Sequence, residues 1–139
     1  METCPVRYIR ATAYCHATED CDKVAKALIN IVPGEVISER VEGYYGNIIT
    51  ALRVDVEGCV ATKILSDILK LLDDLDFNIL INSIEIYKNR IFIRISKQKA
   101  YRKIVRLDSG DDVIHVEIRF SHKALNDLID VLRKLRGSA

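Results

Sequence analysis

Val6-Arg7-Tyr8-Ile9-Arg10-Ala11-Thr12-Ala13-Tyr14-Cys15-His16 is the stretch whose reading decides the fold. Ile9, Ala11, Ala13 and Cys15 fall on one side of a period-two pattern, and Tyr8, Arg10, Thr12, Tyr14 and His16 fall on the other. Alternation over that length predicts a strand with one face in the core and one face open. The rest of the chain has to supply its neighbours and whatever covers the apolar side.

Thr18-Glu19-Asp20 offers a cap and negative charge at a helix start. Val24, Ala25, Leu28 and Ile31 follow at helical spacing until Pro33-Gly34. A second strand is expected over Glu35–Glu42, a turn at Gly43-Tyr44-Tyr45-Gly46-Asn47, and a third strand over Ile48–Val56. Gly58 breaks that strand. Ala61, Ile64, Leu65, Ile68, Leu71, Leu72 and Leu75 then mark one helical stripe from about Val60 to Leu75. Strands are expected at Asn82–Tyr87 and Arg90–Ile95, joined tightly by Lys88-Asn89. Lys97–Arg106 reads as an irregular or briefly helical connector, and Val113–Phe120 alternates again. Ser121 caps a last helix carrying Leu125, Leu128, Ile129, Leu132 and Leu135. The order βαββαβββα predicts an α+β, two-layer architecture: a mostly antiparallel sheet with helices packed on one face. Without a repeat, linker or low-complexity stretch, residues 1–139 are expected to form a single domain.

The bulk numbers exclude several classes. The chain is 49% hydrophobic and 29% charged, which suits a globular protein with a buried core. Net charge is only +1, so attraction to a polyanion must come from clustering. No apolar run approaches the roughly 18 residues of a membrane span. Met1-Glu2-Thr3-Cys4-Pro5 lacks the basic and apolar regions of a secretory signal, and a cytoplasmic address is the expectation. Cys4, Cys15, Cys21 and Cys59 fit neither paired zinc knuckles nor a dense disulfide framework. Cys15 and Cys59 read as small buried hydrophobes, in preference to a metal site at Cys15, His16 and Cys21. No metal, no cofactor and no disulfide is expected, intracellular hyperthermophile proteins being the exception for disulfides.

Charge clusters in one place. Lys88, Arg90, Arg94, Lys97, Lys99, Arg102, Lys103 and Arg106 fall within nineteen residues that contain no Asp or Glu. Such a field suits phosphate binding, with a solvated face as the plain alternative. In the strand Arg90–Ile95 the isoleucines take the core side, which leaves Arg90, Phe92 and Arg94 open. If the first strand shares that sheet, Tyr8, Arg10 and Tyr14 join them. Arginine interleaved with aromatic rings can pair with phosphates and stack on bases. The same face could instead bury Phe92, Tyr8 and Tyr14 against a partner chain, and a homodimer stays open. Catalytic patterns are absent: no GxSxG, HExxH, P-loop or Rossmann fingerprint occurs. His16 beside Glu19 and Asp20 could form an acid–base pair, but it reads better as the end of a strand. His115 shares parity with Glu117 and Arg119, and His122 stands at a helix start.

Four segments taken in order resemble a known family. They are His16-Ala17-Thr18-Glu19-Asp20 before Lys23-Val24, Gly43-Tyr44-Tyr45-Gly46-Asn47-Ile48, Arg94-Ile95-Ser96-Lys97-Gln98-Lys99-Ala100, and Asp112-Val113-Ile114-His115-Val116. Together, across about Tyr8 to Phe120, they resemble the archaeal RNA-binding family of predicted exosome subunits. The resemblance implies a fold like the large-subunit ribosomal protein that grips the small ribosomal RNA of the central protuberance. It also implies RNA binding without catalysis and a link to RNA processing or decay. The motif positions it carries over are His16, Thr18, Glu19, Gly43, Gly46, Asn47, Arg94, Lys97, Gln98 and Ala100. Two positions depart from the family pattern: Ile48 stands where a Pro is usual, and Ser96 where an acid usually precedes Lys-Gln.

The sequence therefore points to a binding module without a catalytic centre. Its expected RNA contacts are Arg90, Phe92, Arg94, Lys97, Gln98, Lys99, Arg102, Lys103, Tyr8, Arg10, Tyr14 and His16. The expected partners are RNA and exosome or other RNA-processing proteins, with no membrane. One alternative is an adaptor that docks a protein in an RNA-processing assembly. Another is an enzyme on a phosphorylated substrate, with His16 as base and Lys97 as phosphate clamp.

Overall fold

The computed structural model describes residues 4–42 and 46–137. Strands β1 (Val6–Cys15), β2 (Ile37–Glu42), β3 (Ile48–Glu57), β4 (Arg90–Ser96) and β5 (Val113–Phe120) form one antiparallel sheet. Their order is β2-β3-β1-β5-β4, which places β1 at the centre. Its apolar side is fully covered: Ile9, Ala11 and Ala13 have no exposed surface. Leu52 and Val54 of β3, Ile91, Ile93 and Ile95 of β4, and Ile114, Val116, Ile118 and Phe120 of β5 complete the inner face.

Helices close over that face. Helix α1 (Cys21–Ile31) begins where the Asp20 carboxylate accepts from the Asp22 N–H, and it buries Val24, Ala27, Leu28 and Ile31. After it, Gly34 passes so close to Val54 that a Cβ would stand 2.6 Å from a Val54 methyl, a contact only glycine avoids. Helix α2 (Cys59–Leu71) follows Gly58, whose φ of +83° suits glycine, and buries Ile64, Leu65 and Ile68. The expected α+β layers, with helices on one face of an antiparallel sheet, are those observed. Among the described residues no helix is long and apolar enough to cross a membrane.

The structure corrects the sequence reading at four places. The stripe expected to run unbroken to Leu75 stops at Leu71, because Leu72 turns extended and Asp73 caps a new helix, α3 (Asp74–Ser83). The Asp73 carboxylate accepts from the Asp76 N–H at 2.7 Å, and Phe77 and Leu80 one turn apart seat α3 on the core. Residues 82–87 therefore form no strand, and only the Tyr87–Arg90 bridge of the expected hairpin remains. The basic connector is briefly helical, as expected, in α4 (Lys97–Tyr101), whereas the last helix is two: α5 (His122–Asn126) and α6 (Leu128–Gly137), separated at Asp127. The cysteines form two disulfides, Cys4–Cys59 and Cys15–Cys21. Sheet register explains the first pair. Tyr8 lies opposite Glu57, so the start of β1 and the end of β3 are neighbours. The tight return from β1 into α1 explains the second. Cys15 is buried as expected, whereas Cys59 is exposed. The turn read at 43–47 falls largely outside the described residues, although Gly46 has the positive φ expected of it.

Candidate nucleic-acid interface

The uncovered face of the sheet is a set of cross-strand rows. Arg10 of β1 faces Asp55 of β3 on one side and Glu117 of β5 on the other. Tyr8 faces Glu57 and Arg119, Arg90 of β4 faces Arg119, and Phe92 faces Glu117. Arg94 faces His115, which also faces Thr12. Over β1, β5 and β4 four arginines thus meet one carboxylate of their own strands, with Asp55 reaching in from β3.

Two carboxylates organise this layer. Asp55 accepts from Arg10 Nε at 2.5 Å, from Arg53 Nε at 3.0 Å and from the Tyr8 hydroxyl. Burial alone would raise the Asp55 pKa, but those three donors outweigh it and hold the carboxyl below its ordinary range. The Tyr8 hydroxyl is shifted upward by burial and by that same carboxylate. Glu117 accepts from Arg119 Nε at 2.7 Å and from an Arg90 amino group at 3.3 Å. The Tyr8 ring lies under Arg119, whose guanidinium carbon is 4.6 Å from its centre, and under Arg10 at 5.8 Å. Phe92 is 55% exposed and Tyr14 41%, the latter meeting His115 edge-on at 6.4 Å. Burial first, and then the charge of Arg94, lower the His115 pKa. Arg94 makes only a long hydrogen bond to the Ser109 carbonyl, 3.4 Å, and has no carboxylate partner among the described residues.

At the end of the sheet where β1 and β4 finish and β5 begins, the chain turns inward. Ser96 closes β4 and caps α4 by accepting from the Lys99 N–H. Lys97 then points into the fold with 5% of its side chain exposed. Its ammonium donates to the Tyr14 carbonyl at 3.0 Å, to Glu19 at 2.9 Å and to Asp112 at 2.6 Å. Three acceptors saturate its three hydrogens, so Lys97 has none left for a phosphate. His16 is exposed beside this group, with Nε2 3.7 Å from Asp112. His16, Glu19 and Asp112 are close enough together to suit a metal, but the two carboxylates already hold a cation, the Lys97 ammonium. The Cys15–Cys21 disulfide takes both thiolates out of the other conceivable metal site.

The eight clustered cations have different fates. Arg90 and Lys97 are paired as described, and Arg106 is held by Asp76 at 2.8 Å. Lys99, Arg102 and Lys103 are exposed and carry no ion pair among the described residues. Sequence reasoning did not select Lys23 and Lys26 of α1, or Tyr101, and α4 packs directly on α1. The Asn30 amide donates to the Ala100 carbonyl at 2.9 Å, and Lys26 Nζ stands 5.5 Å from the Tyr101 ring centre. An aromatic inside a cation run was the available signal for Tyr101; nothing local linked α1 to it.

A family model described as RNA binding matches residues 8–120. This chain belongs to that RNA-binding family. An uncharacterized protein of Methanocaldococcus jannaschii is 37% identical over 123 residues, covering 81% of this chain and 83% of that one. An RNA-binding protein of Pyrococcus abyssi is 34% identical over 122 residues, covering 80% and 79%. A solved DUF54 protein from Methanothermobacter thermautotrophicus superposes with a TM-score of 0.77 at 27% identity, over 94% of this chain and 98% of that chain. The matched region of the RNA-binding family spans the open sheet face, the Lys97 anchor and α4.

Proposed function

We propose that this protein binds RNA, without a catalytic centre, through α4 and the adjoining end of the open sheet face. The observation that carries this reading is the trio Lys99, Arg102 and Lys103, exposed and without an ion pair among the described residues, beside an anchored turn of helix. Arg94 and Gln98 extend the contact, and Phe92 and Tyr14 offer exposed rings to unstacked bases. Lys97 and His16 act as positioning residues, because the Lys97 ammonium ties α4 to the loop that carries Glu19. Arg10 and Arg90 contribute although they are paired. Glu117 serves two guanidiniums, Arg90 and Arg119, so that cluster keeps one surplus positive charge on pre-ordered side chains, whereas Arg10 shares Asp55 with Arg53, which also meets Glu39 at 3.9 Å.

Membership of an RNA-binding family, and a relative described as an RNA-binding protein, support the same reading. In this reading the chain is one domain over residues 1–139, works in the cytoplasm without a cofactor, and has a fold like that large-subunit ribosomal protein. It serves as an accessory factor in RNA processing or decay, beside the exosome or another processing assembly. The adaptor alternative rests on exposed Phe92 and Ile79, which line one shallow groove with Arg94.

The test is binding of single-stranded RNA by the parent and by a Lys99→Ala/Arg102→Ala/Lys103→Ala variant across a salt series. Removing each phosphate-binding cation should lower the log–log slope by about 0.7. Equal affinity at every salt concentration would make α4 a solvated face and move the adaptor reading ahead.

A further inference from the structure

Between α1 and α4 lies a cleft of about 620 Å³, a size typical of small-ligand sites. Val24 and Ala27, both buried, form its floor. Lys23 from α1 and Arg102, Gln98 and Tyr101 from the α4 side stand around it, and Thr18, Glu19 and Asp20 complete the lining. We propose that this cleft holds one unstacked nucleotide of single-stranded RNA, its base against Tyr101 and its phosphate between Lys23 and Arg102. The inference rests on the RNA-binding reading above and assigns that reading a specific pocket.

The lining matches the parts of a nucleotide. An apolar floor and a tyrosine ring, 37% exposed, suit the faces of a base. The Thr18 hydroxyl and the Gln98 amide can hydrogen-bond to base edges or to a 2′-hydroxyl. Lys23 and Arg102 form no ion pair among the described residues and are available to a phosphate. The two acids in the lining have other work. Glu19 is bonded to Lys97 and to the His16 N–H, and Asp20 accepts from the Asp22 N–H.

The cleft is also pre-organised. Its two walls are fixed by bonds that would exist without ligand: Lys97 to Glu19 and Asp112, and Asn30 to the Ala100 carbonyl. Lys26 approaches the Tyr101 ring from the α1 side, its Nζ 5.5 Å from the ring centre. A duplex keeps its bases stacked and paired and has nothing to insert, so the cleft selects single strands.

The experiment compares single-stranded and duplex RNA by fluorescence anisotropy, using the parent, Tyr101→Leu, Tyr101→Phe and Lys23→Gln. Tyr101→Leu should weaken single-strand binding about tenfold, leave duplex binding unchanged, and leave the salt slope alone. Tyr101→Phe should restore parental affinity, and Lys23→Gln should lower the slope by about 0.7. Circular dichroism and the parental duplex affinity show that the leucine variant is folded. Adenosine monophosphate, which carries the same ring and phosphate, should displace the oligonucleotide only in large excess. Saturation by the mononucleotide with no oligonucleotide binding would overturn the strand reading. Parental single-strand affinity in Tyr101→Leu would overturn the cleft while leaving the function reading intact. A parent that binds neither RNA would overturn both.

Discussion

Removing the two acids around Lys97 should destabilise the protein more than removing Lys97 itself. The ammonium is 5% exposed, while the side chains of Glu19 and Asp112 are 29% and 54% exposed. Lys97→Met deletes three charged hydrogen bonds, yet the carboxylates left behind reach water. That loss should cost about 1 to 3 kcal/mol, the range for charge-assisted bonds with solvent screening. Glu19→Gln with Asp112→Asn leaves the cation enclosed with no counter-charge, at a cost of about 3 to 5 kcal/mol. Combining all three substitutions removes the stranded charge and should recover much of that loss. Urea denaturation followed by circular dichroism at neutral pH, with the disulfides intact, measures the series. A double variant no less stable than Lys97→Met would show that the ammonium reaches solvent. The account of Lys97 as a buried anchor for α4 would then fail.

Ile68→Ala in α2 should cost about 2 to 4 kcal/mol, since Ile68 is 1% exposed, and an unchanged denaturation midpoint would contradict its place in the core. For Asp76, burial raises the carboxyl pKa, but the Arg106 guanidinium and the Leu107 N–H outweigh it and hold it below the ordinary range. Its stabilisation is therefore complete above about pH 4 and is lost as pH falls through the lowered folded-state value, so the gap between parent and Asp76→Asn should close in acid. Loop-closure entropy assigns about 4 kcal/mol to Cys4–Cys59, which spans 55 residues, and about 2 kcal/mol to Cys15–Cys21, which spans 6. Paired Cys→Ser variants compared by urea denaturation should rank in that order.

Local patterning made the sheet legible. Period-two alternation in β1, β3, β4 and β5 is the direct mark of one buried face, and the structure's inner and outer residues follow it. Residues 82–87 escaped because β-branched residues flanking a short polar link look like a hairpin, while the decisive group was an Asp73 cap nine residues earlier. The candidate interface was legible as a set of charges but not as a set of partners. Asp76 meets Arg106 from thirty residues away, and Glu19 meets Lys97 from seventy-eight. Acid-free sequence around a cation therefore said nothing about acid-free space. Both disulfides depend on strand register and loop return in the same way.

The two disulfides also make the amino-terminal part of the chain a closed ring with a smaller ring inside it. Cys4 and Cys59 enclose β1, α1, β2 and β3, and the Cys15–Cys21 loop lies wholly within that span. A protease that cuts once anywhere between Cys4 and Cys59 opens the ring without releasing a fragment. The nicked molecule keeps its full mass until a thiol is added, and β3 stays tethered beside β1 for repairing the sheet. The half of the fold that supplies Asp55 and Glu19 is thus covalently tolerant of a break. The half that supplies α4 has no such protection: after a single cut beyond Cys59, only packing and hydrogen bonds would hold its pieces in place.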